Sequence, residues 1–202
     1  MSSLSRTGKA ANVVETSRLL LRPWSESDLD EYALLLADPD VIRYLTHEYG
    51  PLSREEAAQA HGRILLHWQE YGFGAWAAVE KASGRWAGKI GLNLLSSWPG
   101  PHMVEVEWQL SVPFWGRGYA TEGGRAAVHY GFETLGLDRI ISMTAPQHLA
   151  SQKIMRKCGL TCQGIVQMDD PRTRTKRDIV WYAIDRSTWE SQPGTSQARA
   201  GT

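Results

Sequence analysis

The order of hydrophobic and polar positions divides the first third of the chain into a strand and two helices. Residues 18–24 form an apolar run that meets a proline, which predicts a strand followed by a turn. The apolar positions that follow recur every three or four residues and predict a first helix ending near Asp38. A Ser-x-x-Glu capping box at Ser53 begins a second pattern of the same spacing, which we expect to end at Gly72.

Beyond Gly72 the spacing changes to the alternation that is typical of β-strands. Two apolar runs flank a Ser83-Gly84 turn and predict an antiparallel hairpin, and residues 104–112 alternate between apolar and polar side chains. The remaining segments predict a helix up to Gly136, a strand at 139–144, a helix at 150–158 and strands at 161–167 and 179–184. About seven strands and about four helices in this order indicate an α+β, or mixed α/β, fold.

Composition and charge narrow the classes of function. The chain has 202 residues with 22 basic and 22 acidic side chains, so bulk attraction to nucleic acid or to an anionic membrane is disfavoured. The two cysteines, Cys158 and Cys162, support neither a disulfide framework nor a zinc site, and the histidines have no metal-binding spacing. No segment is apolar for long enough to be a signal peptide or a membrane span. We therefore expect a cytoplasmic protein without a metal.

The chain shows no linker-like stretch and no low-complexity run between its two ends. We expect residues 13–189 to form a single domain, with flexible tails at residues 1–12 and 190–202, where the sequence is small and polar. The sequence does not distinguish a monomer from a homodimer.

The stretch WGRGYATEGG, residues 115–124, carries the most chemical information. Two glycines lie two apart where a strand gives way to a helix, so backbone N–H groups at the helix N-terminus are left free to bind phosphate oxygens. A tight turn that uses glycine only for its geometry is the alternative. The loop has neither the GK[ST] of a nucleotide-triphosphate site nor the GxGxxG of a dinucleotide site.

This loop resembles the pyrophosphate loop of the GNAT superfamily of N-acetyltransferases, whose pattern is [QR]-x-x-G-x-[GA]. Trp115 departs from the first position, but WGRGYATE is similar to the form found in the RimJ/RimL branch of ribosomal-protein N-terminal acetyltransferases. The opening ETSRLLLRPWSESDLDEY and the closing DIVWYAIDRSTW also resemble that branch. The resemblance covers roughly residues 14–189 and implies a mostly antiparallel, twisted central sheet whose fourth and fifth strands splay apart.

The resemblance also implies acetyl-CoA as the co-substrate. Its pantetheine arm would lie between the splayed strands, and its pyrophosphate would bind the amides of the loop. The positions that match these contacts are Leu110, Ser111, Val112, Arg117, Gly118, Tyr119, Ala120 and Thr121. The side chain of Arg117 either adds positive charge beside the phosphates or is a solvated surface arginine.

A second family motif, N-x-x-S, aligns with residues 148–151 and places His148 where the family has asparagine. A histidine can make one hydrogen bond to the cofactor arm but cannot reproduce the paired geometry of an amide, so His148 is either a cofactor contact or a polar loop residue. Ser151 matches directly and is a candidate to protonate the departing thiolate; capping the helix is its alternative role. The tyrosine that other branches place four residues later is Met155 here.

Two acidic residues are candidates for the general base. Glu105 and Glu107 are two apart in a predicted strand, so both side chains project from the same face, opposite an apolar one. Their mutual repulsion and partial burial would raise at least one pKa, whereas on an exposed sheet they would be ordinary solvated acids. Glu105 matches an acidic position of the branch, but Glu107 is nearer the reacting end, and we place the base at Glu107 in preference to Glu105.

Together these residues predict an N-acetyltransferase that moves the acetyl group of acetyl-CoA to a primary amine by direct transfer in a ternary complex. The acceptor would be a protein N-terminal amine, and a small-molecule amine such as an antibiotic or polyamine is the alternative. A different acyl-CoA, or a catalytically silent acyl-CoA-binding module, also fits the sequence. The acceptor pocket would be built from residues 38–72 and from the loop at residues 94–103, which carry no recognisable motif.

Overall fold

Eight strands form one sheet in the described part of the chain. A computed structural model describes residues 13–44, 50–95, 98, 103–169 and 175–192. The strands are β1 (Val14–Glu15), β2 (Leu19–Arg22), β3 (Ala75–Glu80), β4 (Trp86–Leu95), β5 (Met103–Leu110), β6 (Arg139–Thr144), β7 (Thr161–Asp169) and β8 (Lys176–Asp185). Their order across the sheet is β1-β2-β3-β4-β5-β6-β8-β7. Neighbouring strands are antiparallel except for the parallel pair β5 and β6.

Six helices accompany the sheet in the same residues. They are α1 (Leu29–Ala37), α2 (Pro39–Ile42), α3 (Arg54–Tyr71), α4 (Tyr119–Glu133), α5 (Leu149–Lys157) and α6 (Arg186–Glu190). None of these helices is both long and apolar enough to cross a membrane. The predicted mixed α/β fold with a mostly antiparallel sheet is confirmed.

The elements that the sequence pattern missed are short. β1 has two residues, α2 has four and α6 has five, and such lengths are too short for a period to be recognised. The proline after Asp38 ends α1 as expected, but it also occupies the first position of α2, where its missing N–H costs nothing. The fifth strand ends at Leu110 rather than Val112, because Val112–Phe114 forms a 3-10 turn that contains a proline.

The second predicted helix begins and ends where its capping residues lie. The Ser53 hydroxyl accepts from the Glu56 amide, and the Glu56 carboxylate accepts from the Ser53 amide. At the other end Gly72 has φ +73°, the left-handed conformation that commonly ends helices. These caps fix α3 as an element of 18 residues.

The two faces of the sheet are covered differently. Helices α4 and α5 pack on one face over the largest core cluster, which includes Trp76, Ile90, Val106 and Met155. Helices α1 to α3 cover the opposite face at β3 and β4. Farther along this second face, side chains of β5, β6, β7 and β8 form a separate apolar cluster around Ile141.

Three glycines allow α4 to lie unusually close to the sheet. A Cβ atom at Gly123 would come within 2.6 Å of the Ile90 side chain, and one at Gly131 within 2.6 Å of Ile140. A Cβ atom at Gly124 would come within 2.9 Å of the Cys158 sulfur. Because a side chain at any of these positions would force its neighbour to move, glycine lets this face of α4 pack closely on the sheet without rearrangement. Part of the glycine content of the sequence therefore serves helix packing.

The parallel strands β5 and β6 pair at one position and then separate. The pairing joins Glu105 to Ile141, whereas the whole of β5 is paired with β4. Beyond Glu105 the two strands diverge toward their carboxyl ends, as the resemblance predicts. The opening between them is called the strand split below.

His67 bonds through both ring nitrogens, one to the segment before β3 and the other to the end of β4 that extends past β3. Its Nε2 lies 3.0 Å from the amide of Leu94, and its Nδ1 lies 2.9 Å from the carbonyl oxygen of Phe73. Only the neutral ring with a proton on Nδ1 satisfies both neighbours, since the Leu94 amide needs an acceptor. Burial lowers the pKa of His67, although the Phe73 carbonyl and the charges of Glu107 and Glu70 oppose that effect.

We expect this histidine to make folding sensitive to acid. Because the native pKa is lowered, the stability that neutral His67 contributes is complete above about pH 6.5 and is lost as the pH falls through the native value. Loss of the Leu94 hydrogen bond is worth about 1 kcal/mol. Urea unfolding should show that the free energy of unfolding falls more between pH 7.5 and pH 5 in the parent protein than in His67→Gln, whose amide does not titrate. An equal fall in both proteins would contradict the assignment of His67 as the acid-sensitive group.

Candidate active site

The strand split exposes backbone groups of β5 that have no strand partner. The Ser111 amide donates to the carbonyl of Ala87 in β4 at 3.0 Å, so alternate residues of β5 direct their backbone toward β4. The backbone groups of Trp108 and Leu110 consequently face the split. Of the predicted contacts Leu110, Ser111 and Val112, only Leu110 lies on β5 and faces this opening. The indole Nε1 of Trp115 donates to the Leu110 carbonyl at 2.7 Å.

The glycine loop after β5 presents a row of free amides. Gly116 and Gly118 have φ +70° and +84°, and α4 begins at Tyr119 immediately after them. The first amide with a helical acceptor is that of Glu122, which donates to the Gly118 carbonyl at 3.0 Å. In the described part of the chain the amides of residues 117–121 donate to no protein acceptor. Free amides at a helix N-terminus fit the phosphate groups of a CoA thioester.

Side chains around this loop form a charged network that the sequence did not predict. Arg117 pairs with Glu80 at 2.9 Å, and the Tyr119 hydroxyl donates to the same carboxylate. Hydrogen bonds from Ser83 and Tyr119 lower the pKa of Glu80, which is 6% exposed. Arg18 pairs with Glu122 at 2.6 Å and donates to the Arg117 carbonyl at 2.9 Å. The side chain of Arg117 is thus held by Glu80 rather than free in solvent.

Glu80 connects the β3–β4 turn to the glycine loop, so its charge should matter for the binding of acetyl-CoA. We expect Glu80→Gln to raise the KM for acetyl-CoA about fivefold to tenfold, because loss of a charge-assisted hydrogen bond costs about 1–1.5 kcal/mol. The kcat should change less than about twofold, since Glu80 lies away from the split. Glu15→Gln, which removes an exposed partner of Lys81, is the control. An unchanged KM in Glu80→Gln would show that the loop does not depend on this network.

Glu105 lies at the closed end of the split. It is 8% exposed, and its carboxylate accepts a hydrogen bond from the amide of Met143 in β6. Burial and the nearby charge of Glu107 raise the pKa of Glu105 to about 8, although Lys89 and the Met143 amide oppose the shift. A carboxyl group with such a pKa changes its protonation state near neutral pH, as a general base must.

Glu107 projects from the same face of β5 and is bound by a lysine. The Lys89 Nζ lies 3.1 Å from Glu107 Oε2, and both side chains are largely buried at 13% and 24% exposure. Burial acts to lower the pKa of Lys89, but the charges of Glu107, Tyr32 and Glu105 and the hydrogen bond to Glu107 together outweigh it, and the pKa is raised. Lys89 therefore stays protonated, and Glu107 is the carboxylate that neutralises it. This pairing makes Glu105, rather than Glu107, the better candidate base.

His148 and Ser151 lie at the start of α5, where the chain leaves β6. The His148 ring stacks on Tyr44 with 4.1 Å between ring centroids, and its Nδ1 lies 3.1 Å from the Thr144 hydroxyl. Burial lowers the pKa of His148, which favours the neutral ring. Ser151 is 5% exposed, and its hydroxyl makes no hydrogen bond to another described residue. That hydroxyl is consequently not used as a helix cap.

Sequence reasoning missed Lys89, Glu80 and Tyr44. One signal was available for Lys89, because a lysine in the middle of the apolar run RWAGKIGLNLL needs a buried partner. Glu80 also closes an apolar strand. Nothing in the sequence places Tyr44 beside His148, since they are brought together by the path of the chain after α2.

An open strand pair that leads to unpaired helix-terminal amides, with an elevated carboxyl pKa at its closed end, defines an acyl-CoA-dependent transferase. A family described as an acetyltransferase (GNAT) domain matches residues 18–161. The chain belongs to the GNAT acetyltransferase family, and it is an acetyl-CoA-dependent N-acetyltransferase. In the described residues no group of three or more His, Cys, Asp or Glu side chains could hold a metal ion.

Three known proteins illustrate the similarity. The FsC-acetyl coenzyme A-N(2)-transacetylase of Aspergillus fumigatus is 31% identical over 96% of this chain and 85% of its own. The crystal structure of an acetyltransferase from Agrobacterium tumefaciens has a TM-score of 0.72 with 27% identity, covering 89% of this chain and 98% of its own. A ribosomal L7/L12 α-N-protein acetyltransferase, RimL, in complex with coenzyme A has a TM-score of 0.68. Its 17% identity, over 86% of this chain and 97% of its own, shows a shared fold. The RimJ/RimL branch stays a prediction.

Proposed function

We propose that this enzyme acetylates a primary α-amine by direct transfer in a ternary complex, with Glu105 as the general base. The observation that carries the proposal is the position of the Glu105 carboxyl group, which is buried at the closed end of the strand split and bound by the Met143 amide. Burial and the charge of Glu107 raise its pKa to about 8. A protein N-terminal amine has a reference pKa near 8, and a lysine side chain one near 10.4. Because proton transfer is most effective between groups of similar pKa, this base suits an α-amine.

The chemistry requires one bond to form and one to break. An ammonium group gives its proton to the Glu105 carboxylate, directly or through a water molecule, and the neutral nitrogen attacks the thioester carbonyl carbon. A backbone amide of β5 that faces the split supports the negative oxygen of the tetrahedral intermediate. The C–S bond then breaks, and the nitrogen loses its second proton, which ends on the departing thiolate as the free thiol of CoA. The Ser151 hydroxyl hydrogen-bonds to that thiolate or passes the proton to it. The unused Ser151 hydroxyl supports this last role.

Acetyl-CoA fits the residues that would bind it. The free amides of residues 117–121 suit its phosphates, and the open backbone of Trp108 and Leu110 suits the amide groups of its pantetheine arm. The Leu110 carbonyl accepts from the Trp115 indole and has a second lone pair that can accept from the arm. His148 lies beside the split, with its Nδ1 already near Thr144.

A protein N-terminus is our first candidate acceptor, and a small-molecule amine is the second. The second is supported by the Aspergillus relative, whose name describes transfer from acetyl coenzyme A to an N(2) nitrogen of a molecule called FsC. The predicted acceptor region, residues 38–72 and 94–103, includes residues 45–49, 96–97 and 99–102, which lie outside the described part of the chain.

Release of free thiol from acetyl-CoA tests the proposal directly. The acceptor panel should contain peptides with free α-amines, the same peptides with blocked α-amines and a free lysine, and small diamines and polyamines. We expect free α-amines to be acetylated at least tenfold faster than blocked peptides. Equal rates on blocked peptides would contradict the α-amine assignment, and tight acetyl-CoA binding without thiol release from any acceptor would contradict the proposed reaction.

A further inference from the structure

Lys89 is a buried cation on the face of the sheet that carries both candidate bases. It lies in β4 opposite Gln109 of β5, and Glu107 is two residues before Gln109 on the same face. The Lys89 side chain is 13% exposed. A lysine in this position loses most of its hydration and needs a charged partner to remain buried in the folded protein. Glu107 supplies that partner at 3.1 Å.

Two carboxyl groups and one ammonium group therefore share this part of the sheet. Glu105 and Glu107 come from β5 and Lys89 from β4, while α1 contributes Tyr32 and β6 contributes the Met143 amide. Helix α3 contributes His67, which is held neutral by two backbone neighbours, and Glu70, which acts on His67. The ammonium group of Lys89 binds Glu107, and the Glu105 carboxylate is bound by an uncharged amide.

We propose that Lys89 is a positioning residue for acetyl transfer, because its ammonium group binds the Glu107 side chain in an ion pair and leaves Glu105, which is bound by the Met143 amide, as the carboxyl group that receives the proton of the amine. This inference rests on the proposed role of Glu105. Without Lys89, two neighbouring buried carboxyl groups would share a proton, and neither would be a defined base. With Lys89, Glu107 is held in an ion pair, and the charges of Glu107 and Lys89 act on Glu105 in opposite directions.

The pH profile of kcat/KM distinguishes this role from a purely structural one. We expect Lys89→Met to move the acidic limb of the profile upward by about one pH unit, because an attraction that favours ionised Glu105 is removed. Activity at pH 7 should then fall about tenfold. Lys89→Arg keeps the charge and should keep the limb near its original position. Glu107→Gln should move the limb in the opposite direction, since it removes a repulsion and leaves Lys89 free to act on Glu105.

A double variant protects the test against misfolding. If Lys89→Met is too unstable to assay, Lys89→Met with Glu107→Gln removes both charges and leaves no buried ion without a partner. We expect this double variant to be more stable than Lys89→Met alone and to have its acidic limb below that of the parent protein, because Glu105 then lacks the repulsion from Glu107. A limb at the original position in both the Lys89→Met and the double variant would overturn the proposal.

Failure of the proposal and failure of the underlying base assignment give different results. If Glu105→Gln abolishes the acidic limb but Lys89→Met leaves it unmoved in a folded protein, Glu105 is the base and Lys89 has no positioning role. If Glu105→Gln retains full activity with its acidic limb in place, Glu105 is not the base, and the inference about Lys89 fails with it. Circular dichroism and the thermal unfolding midpoint of each variant establish that it is folded.

Discussion

Replacement of Glu105 by glutamine is expected to lower kcat by about 100-fold to 1,000-fold, which is the usual contribution of a general base. The variant keeps the shape of the side chain, and its amide oxygen can still accept the Met143 hydrogen bond. The binding of acetyl-CoA should be nearly unchanged, because the loop amides do not involve this residue. Steady-state rates and acetyl-CoA titration by calorimetry measure the two effects separately.

The pH dependence of the parent enzyme provides a second test of the same residue. Activity should rise with pH around 8 as Glu105 becomes ionised, given its pKa of about 8. An acceptor amine also loses its proton near this pH, so two acceptors whose amines differ in pKa by at least one unit should be compared. A limb that belongs to Glu105 has the same midpoint with both acceptors, whereas a limb that belongs to the amine moves with the acceptor.

Stability should respond to pH at this residue as well. Because the native pKa of Glu105 is raised, the stabilisation associated with its proton is present at low pH and is lost as the pH rises through about 8. Glu105→Gln cannot titrate, so its stability relative to the parent should increase between pH 6 and pH 9. Glu55→Gln, at an exposed acid of α3, is the control for both activity and stability. Loss of activity of similar size in both variants would contradict the role of Glu105.

Replacement of Gly118 by valine should have the second large effect. Gly118 has φ +84°, a conformation that costs a β-branched residue about 1–2 kcal/mol or more. A Cβ atom there would also lie 3.4 Å from the Arg18 guanidinium, so the added side chain would crowd the loop where a phosphate group would approach. We expect the affinity for acetyl-CoA to fall at least about 30-fold, which corresponds to about 2 kcal/mol.

Gly136 offers a control with the same backbone requirement away from the loop. It has φ +69°, and a Cβ atom there would meet no atom within 4 Å. Gly136→Val should therefore lose a similar amount of stability while its affinity for acetyl-CoA stays near that of the parent. If Gly118→Val is folded and binds acetyl-CoA as tightly as Gly136→Val does, the loop is not the phosphate site.

Most of the fold was predictable because its elements are long and carry regular signals. The capping box at Ser53 and the left-handed Gly72 bound α3 at both ends. Apolar runs on either side of the Ser83-Gly84 turn located β3 and β4, and alternation located β5. Strand β5 was predicted to end two residues too late, because residues 112–114, which include Pro113, form a 3-10 turn. Local pattern therefore specified the elements, and it failed where a short segment depends on its neighbours.

The candidate site was less predictable, because side-chain pairing is decided across strands. The sequence located Glu105 and Glu107 on one face, and we placed the base at Glu107 although Glu105 matches an acidic position of the branch. The ion pair that distinguishes them was not predictable, since Lys89 approaches Glu107 only through the β4–β5 register. The role of Arg117 was open for the same reason, as its partner Glu80 lies in β3. The residues assigned to catalysis and to acetyl-CoA binding remain predictions that the variants above test.

The glycine face of α4 has a consequence for the length of the ligand that the enzyme can use. Gly123 and Gly131 hold the helix against Ile90 and Ile140, which belong to the same sheet as Glu105. The distance from the helix-terminal amides to the Glu105 carboxyl group is thus fixed by the close contact between the helix and the sheet. A donor with a shorter arm between its phosphates and its thioester would reach one end of that span but not the other.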